Sequence, residues 1–367
     1  MRSIILFSLF ISLYSNATSE IINKEFKFTH ADNCKEKRLD LPPGVMSRIP
    51  IQDQNTSNFC WSYAGTQMID AWRAKYRPPT PPWTSPTAHA FRYLSEKGIT
   101  DPNRNLSGVN FLDRAVRYPS CSQSVVHDRI SGQNHRVFFN KMQELHKMAR
   151  SGEATEATLE NKLQACLSQA GINNKIRWNQ ISQYVQSTEW TGFANQVIGE
   201  ICKDHTRNAE NIPRPEVIAA YHKKFANGLE GMQAIQKMIR EKLDGEDPLP
   251  VGIRFCPEAL KQFLPATLQM DGELNESRCK SKTGVLKNQH FAVIVGRRPV
   301  MVKTSDGREK LICQYLIRDS YGTDCAEYPD STVFTPKDRC VKGQVWVDEK
   351  HLLVNTNEAY AIPDRAN

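Results

Sequence analysis

At Gly245-Glu246-Asp247-Pro248 the hydrophobic period of this 367-residue chain changes. Upstream, apolar residues recur at steps of three and four. Trp61, Ala64, Met68 and Trp72 do so in one stretch, and Ile218, Tyr221, Phe225, Leu229, Met232, Ile235, Ile239 and Leu243 in another. Such spacing predicts amphipathic helices over 60–76 and 215–242. Downstream, Pro250-Val251-Gly252-Ile253-Arg254-Phe255 alternates, and further strands are predicted at Phe291–Val295, Leu311–Arg318 and Val345–Val347, with Gly and Pro turns between them. Helices first and strands after predict an α+β chain with a strand-rich second half.

Within the first half, Pro78-Pro79 stops the first helix and Pro78-Pro79-Thr80-Pro81-Pro82 forms a stiff connection. Ser85-Pro86 reads as N-cap and first turn of a second helix, with Ala88, Phe91, Tyr93 and Leu94 on its apolar face. Gly98-Ile99-Thr100-Asp101-Pro102 ends it, and Gly108–Val116 begins a third short helix. Helical patterns recur at 137–149, 156–170 and 193–203. Arg38-Leu39-Asp40-Leu41 alternates briefly and could be an edge strand.

Cys60 lies at the predicted start of the first helix, six residues after Gln54. The free N–H groups and dipole at a helix N-terminus favour a thiolate, which is the nucleophilic form. Gln54 is close enough along the chain to offer its side-chain amide to an oxyanion. Taken alone, Cys60 also fits a buried structural thiol or half of a disulfide. A thiol nucleophile needs a base, normally histidine. Of nine histidines, His290 opens an apolar strand in Gln289-His290-Phe291-Ala292-Val293-Ile294-Val295-Gly296, where its ring could project from the sheet edge. The base needs an orienting partner. Asp319, in Arg318-Asp319-Ser320-Tyr321-Gly322, is the candidate, and its negative charge would favour a thiolate–imidazolium pair.

These stretches resemble the papain-like cysteine peptidases. That family reads Asp/Asn-Gln, a short turn, then Cys-Trp and a small-residue helix, matching Asp53-Gln54, Cys60-Trp61 and Ala64. Its His-Ala-Val-x-x-Val-Gly pattern resembles His290 to Gly296 with Phe291 inserted, and its Asn-Ser-Trp-Gly resembles Asp319-Ser320-Tyr321-Gly322. Asn58-Phe59 departs from the family's Gly-Ser, and Asp319 and Tyr321 stand where it has Asn and Trp.

The resemblance implies a papain-like two-lobed fold, with a helical first lobe and an antiparallel β-rich second lobe, and Cys60, His290, Asp319 and Gln54 as the catalytic set. It implies peptide-bond hydrolysis through a Cys-His-Asp triad and a Gln oxyanion hole. Trp61, Tyr321 and Phe59 are the candidate substrate-binding residues, Phe59 through its bulk beside the nucleophile. Polypeptides are the expected substrates, the chain is expected to be a monomer, and no metal or organic cofactor is implied. A catalytically impaired homologue that binds peptides or cell-surface material is the alternative, and an acyl transferase or amidase using the same triad is a third.

Cys60 and His290 lie 230 positions apart, against about 130–150 in papain-like enzymes. The surplus implies an inserted helical segment. The expected division is 1–17 signal peptide, 18–45 short N-terminal segment, 46–124 helical lobe with the nucleophile, 125–242 helical insertion and crossover, and 243–367 β-rich lobe.

The division begins with Met1-Arg2 and the apolar run Ile4 to Leu13, followed by Ser15-Asn16-Ala17. This reads as a secretory signal cut near Ala17, because the apolar run is shorter than the roughly 20 residues a membrane span needs. A secreted or periplasmic protein follows, and ten cysteines in an exported chain suggest disulfides. Setting Cys60 aside leaves an odd number. Cys256 with Cys279, Cys166 with Cys202, and Cys325 with Cys340 are plausible pairs by proximity. The net charge of +8 comes from dispersed Lys and Arg with no run of five, so nucleic acid is not an expected partner.

Overall fold

The structure, a computed structural model, describes residues 33–54, 57–77, 82–101, 106, 108–130, 134–172, 176–208, 211–219, 228–256, 289–303, 309–325 and 340–364. The expected signal peptide lies outside them. Helix α1 (Cys60–Tyr76) runs where the period predicts. It is buried almost all round, however, polar positions included. Asp70 and Arg73 face inward and hold Thr84. The Thr84 N–H and hydroxyl both donate to Asp70 (2.9 and 2.6 Å), and Arg73 Nη1 donates to Thr84 Oγ1 at 2.6 Å. Buried charges are tolerated when they are paired and hydrogen-bonded in this way.

Helix α2 (Pro86–Glu96) starts at Ser85, whose hydroxyl accepts from the Ala88 N–H at 3.2 Å. It ends at Gly98, whose φ of +60° suits glycine. Helices α3 (Gly108–Ala115), α4 (Gln123–Ile130), α5 (Asn134–Ser151), α6 (Glu156–Gln169), α7 (Trp178–Ile181), α8 (Gln183–Ser187) and α9 (Trp190–Cys202) follow. The later ones share a core with the first. Phe91 of α2 packs against Phe139 of α5 and Trp190 of α9, with ring centroids 4.7 and 5.9 Å apart.

One stretch departs from the predicted period. Residues 215–242 do not form one helix, because Glu216–Ala219 is a strand, β4, and helix α10 spans Gly228–Asp244. Tyr221 and Phe225 lie outside the described residues. The reason is tertiary. β4 pairs antiparallel with β10 (Thr356–Ala361), placing Val217 opposite Tyr360 and Ile218 opposite Ala359. The β-branched pair Val217-Ile218 suits a pleated ladder better than a helix.

The remaining strands are β1 (Lys37–Arg38), β2 (Ser120–Cys121), β3 (Thr206–Arg207), β5 (Val251–Phe255), β6 (His290–Lys303), β7 (Glu309–Arg318), β8 (Cys340–Val341) and β9 (Gln344–Asp348), with α11 (Glu349–Val354) before β10. The main sheet has the order β4-β10-β5-β6-β7-β9-β8, with β1 also on β6. Its pairings among the described residues are antiparallel. Of the brief alternation at 38–41 only Arg38 is strand: β1 pairs Lys37 with Arg297 and Arg38 with Gly296, and residues 39–41 are a bend. Gly296 permits the approach, since a Cβ there would stand 2.8 Å from the Lys37 carbonyl oxygen. The architecture is α+β, with a helical half followed by an antiparallel sheet, as the papain-like plan implies.

Disulfides join Cys34 to Cys313, Cys121 to Cys202 and Cys325 to Cys340. The third is as expected. The pairing of Cys166 with Cys202 is corrected: Cys202, at the end of α9, reaches Cys121 on β2, and Cys166 is a free, buried thiol inside α6. Cys256 is disulfide-bonded, and Cys279 lies outside the described residues. Among the described residues no helix is long and apolar enough to cross a membrane.

Candidate active site

The site forms where α1 begins and the sheet edge turns. Cys60 is the first residue of α1, a free thiol 7% exposed. N–H groups in the first turn of a helix have no intrahelical acceptor and point outward. His290 opens β6, facing Phe255 across the β5–β6 pair with their rings edge to face at 5.8 Å. Its Nε2 meets Asp319 Oδ1 at 2.5 Å. The same oxygen accepts the Ser320 N–H at 2.7 Å, which fixes the carboxylate in the turn after β7.

The Cys60 sulfur acts on the same imidazole. Burial pushes its pKa down, but the charges of Asp319 and Cys60, and a side-chain hydrogen bond from each, hold it well above the ordinary histidine value. With Nε2 committed to Asp319, Nδ1 is the nitrogen left for the sulfur. Tyr321 stacks flat on the imidazole, with centroids 5.4 Å apart and planes 1° from parallel. That ring covers one face of the His290–Asp319 pair.

Gln54 is brought to the same place by backbone pairing. Its N–H donates to the Ser320 carbonyl at 2.7 Å, and the Gly322 N–H donates to the Gln52 carbonyl at 3.2 Å. The Ser320 hydroxyl donates to Gln54 Oε1 at 2.7 Å. The oxygen of the amide is therefore spoken for, and its NH₂ is the end available to a ligand. Upstream, the Arg318 guanidinium donates to the carbonyls of Met46 and Ile49, both at 3.0 Å, and to Gln344 Oε1 at 2.8 Å. Burial lowers the Arg318 pKa to about 10, against the pull of Asp40. The residue before Asp319 thus anchors the segment that leads into Gln54.

Cys60, His290, Asp319, Gln54 and Tyr321 are brought together, from segments far apart in the chain. Phe59 and Trp61 are not, and their assignment as substrate-binding residues is corrected. Both are fully buried in an aromatic core, Phe59 against Phe91 at 5.7 Å and Trp61 against Phe111 at 4.8 Å. Helix α1 is covered on both sides, so the residues flanking Cys60 turn inward while the sulfur meets the imidazole. Ser320 and Arg318 were missed as site residues. The Arg318-Asp319-Ser320 run was the available signal, because neighbours of an orienting carboxylate occupy the same turn. Among the described residues no cluster of His, Cys, Asp and Glu could hold a metal ion.

No protein-family model matches this chain, and no curated protein matches it. Solved structures do resemble it. SERA5E of Plasmodium falciparum is 14% identical over 93% of this chain and 100% of its own, with a TM-score of 0.47. Procathepsin B S9 of Trypanosoma congolense is 10% identical over 93% of this chain and 82% of its own, TM-score 0.44. Xylellain, a cysteine protease of Xylella fastidiosa, is 12% identical over 93% of this chain and 92% of its own, TM-score 0.40. All three TM-scores lie below 0.5, and the functional conclusion rests on the side chains described above.

Proposed function

We propose that this chain is an exported cysteine peptidase that hydrolyses peptide bonds with Cys60 as nucleophile. The observation that carries the reading is the imidazole of His290 bonded to the Asp319 carboxylate, its proton affinity raised by Asp319 and the Cys60 sulfur together. Such a ring keeps its proton while the sulfur gives one up, which yields the nucleophilic thiolate and a ready acid together.

The sulfur attacks the scissile carbonyl carbon, and the carbonyl oxygen becomes an oxyanion. The Gln54 NH₂ and the Cys60 N–H stabilise it, a contribution typically worth about 3–4 kcal/mol per donor. The C–N bond then breaks as the His290 imidazolium protonates the leaving amine. A water adds to the resulting thioester and gives its proton to His290, and the sulfur leaves as thiolate while the acid is released. Asp319 holds the ring throughout, and Tyr321 shields that hydrogen bond from water. The disulfides Cys34–Cys313, Cys121–Cys202 and Cys325–Cys340 support an oxidising, extracytoplasmic setting.

The test uses the full chain. Cys60→Ala should abolish both peptide cleavage and labelling by a thiol-directed epoxide. Cleavage that persists in this variant, or epoxide labelling on Cys166, would sink the assignment. Adding amine nucleophiles to the assay distinguishes hydrolysis from acyl transfer.

A further inference from the structure

Gln54 is tied to the sheet by its N–H and its Oε1, both through Ser320. Its carbonyl is tied the other way. Ser57 donates to it twice, from the backbone N–H at 3.0 Å and from the hydroxyl at 2.8 Å. Every polar group of Gln54 except the NH₂ is therefore engaged, and the carbonyl is the end that faces the helices.

The Ser57 hydroxyl does not stand alone. Tyr63 lies in α1, three positions after Cys60, and its hydroxyl is hydrogen-bonded to those of Ser57 and Thr87. Thr87 belongs to the first turn of α2. All three side chains are buried, Tyr63 and Thr87 completely. Burial raises the Tyr63 pKa well above the ordinary tyrosine value, so the phenol keeps its proton. The direction of the row follows from the partners. A carbonyl only accepts, so the Ser57 proton goes to Gln54. The Ser57 oxygen then accepts from Tyr63, and the Tyr63 oxygen from Thr87. Each hydroxyl gives one proton to the next, and such a row strengthens each of its members. Alanine and phenylalanine would fill the same space without burying polar atoms, so the hydroxyls serve something other than packing.

We propose that Ser57 and Tyr63 are positioning residues for the oxyanion site. Two donors must converge on one oxygen there. The Cys60 N–H is fixed by α1, whereas the Gln54 NH₂ comes from the segment before it. The row from Thr87 through Tyr63 and Ser57 ties the Gln54 carbonyl to the helix that carries Cys60, and so sets one donor against the other. Ser320 holds the amide end of Gln54, and Ser57 holds the main-chain end. This rests on the reading of Gln54 as an oxyanion donor. The oxyanion exists only in the transition state and the intermediate, so misplacing a donor lowers kcat and leaves KM nearly alone.

The test is a double-mutant cycle in the full chain. Ser57→Ala should lower kcat about tenfold and Tyr63→Phe about threefold, with KM within about twofold of wild type. The pH dependence of Cys60 alkylation by iodoacetamide should not move, because that reagent reads the thiolate and forms no oxyanion. Gln54→Ala alone should lower kcat by about 10²–10³-fold. Adding Ser57→Ala or Tyr63→Phe to it should cost less than about twofold more, since the group they position is gone. If Ser57→Ala fails to fold, as judged by circular dichroism, Tyr63→Phe carries the cycle.

Losses that recur in full in the Gln54→Ala background would overturn the proposal while leaving the role of Gln54 intact. So would a raised KM at unchanged kcat, or a shifted alkylation profile. Wild-type kcat in Gln54→Ala would overturn the oxyanion role of Gln54, and the proposal with it. A wild-type chain that cleaves no peptide would overturn the peptidase reading on which both rest.

Discussion

Two histidines lie at nearly the same depth and carry opposite proton affinities. His290 is 5% exposed at the start of β6, and His89 is 1% exposed inside α2. Burial pushes both pKa values down. At His290 the Asp319 carboxylate and the Cys60 sulfur outweigh burial, and the net shift is well upward. At His89 burial is reinforced by the guanidiniums of Arg73 and Arg92, and the pKa falls to about 3. Their ring neighbours differ as well. Tyr321 lies flat on His290, whereas Phe111 and Tyr118 meet His89 edge to face at 6.5 and 5.6 Å. Depth alone therefore does not mark a proton carrier, and the sign of the neighbouring charge separates the two. His89 is an uncharged packing ring, and His290 is a ring built to hold a proton.

The largest effect should come from removing that proton. His290→Gln is expected to lower kcat/KM for peptide hydrolysis by about 10³–10⁴-fold. His89→Phe should leave kcat/KM within about threefold, since a neutral packing ring has no part in the chemistry. Steady-state kinetics on both variants checks this, and comparable losses would erase the distinction between the two rings.

The distinction also has a thermodynamic side. For His89 the folded pKa of about 3 lies below the ordinary 6.5, so between those values the unfolded chain binds a proton that the folded chain does not. Stability from this site is complete above pH 6.5 and is lost as pH falls toward 3, by about 3–5 kcal/mol in total. For His290 the sign reverses. Its folded pKa is raised, so its contribution is present below pH 6.5 and is lost as pH rises through the folded value. Urea unfolding of wild type and His89→Phe from pH 7 to pH 3.5 isolates the first term, because the titrations common to both cancel. Parallel pH dependences would show that His89 takes up its proton without unfolding the chain.

Asp319→Asn is the next test. The amide can still accept the imidazole N–H but carries no charge, so His290 should lose its proton at a lower pH than in wild type. The alkaline limb of kcat/KM against pH, where the leaving amine loses its proton donor, should move downward, and kcat/KM at its optimum should fall by about 10–100-fold. A limb that stays in place would mean that Cys60 alone sustains the proton on His290.

What the sequence disclosed follows the reach of each interaction. Helix α1, the Ser85 cap and the strands at 251–255 and 311–318 depend on neighbours within a few residues, and periodicity exposes them. The four candidate catalytic residues were legible because each sits in a short local pattern. The burial of Phe59 and Trp61 was not, since it depends on helices and sheet covering α1 from both sides. β4 was mistaken for helix because its partner is β10, more than a hundred residues away. Cys121–Cys202 spans 81 positions, and no rule of proximity selects it. At His89, Arg92 is a local neighbour three positions on, but Arg73 arrives from α1, so the depressed pKa needs the fold to be seen.

The smallest effect tests how far the comparison reaches beyond the ring itself. Ser320 touches the site twice, through its N–H to Asp319 and through its hydroxyl to Gln54. Ser320→Ala keeps the first bond and removes the second. Gln54 Oε1 then loses its donor, and the amide is free to turn its NH₂ away from the oxyanion position. Losing one neutral hydrogen bond of about 1 kcal/mol should lower kcat about fivefold. The pH profile of Cys60 alkylation should be unchanged, because Asp319 and its backbone donor are untouched. A shifted profile would mean that the Gln54–Ser320 contact helps set the proton affinity of His290. The contrast with His89 would then belong to the whole turn rather than to the charges of Asp319 and Cys60.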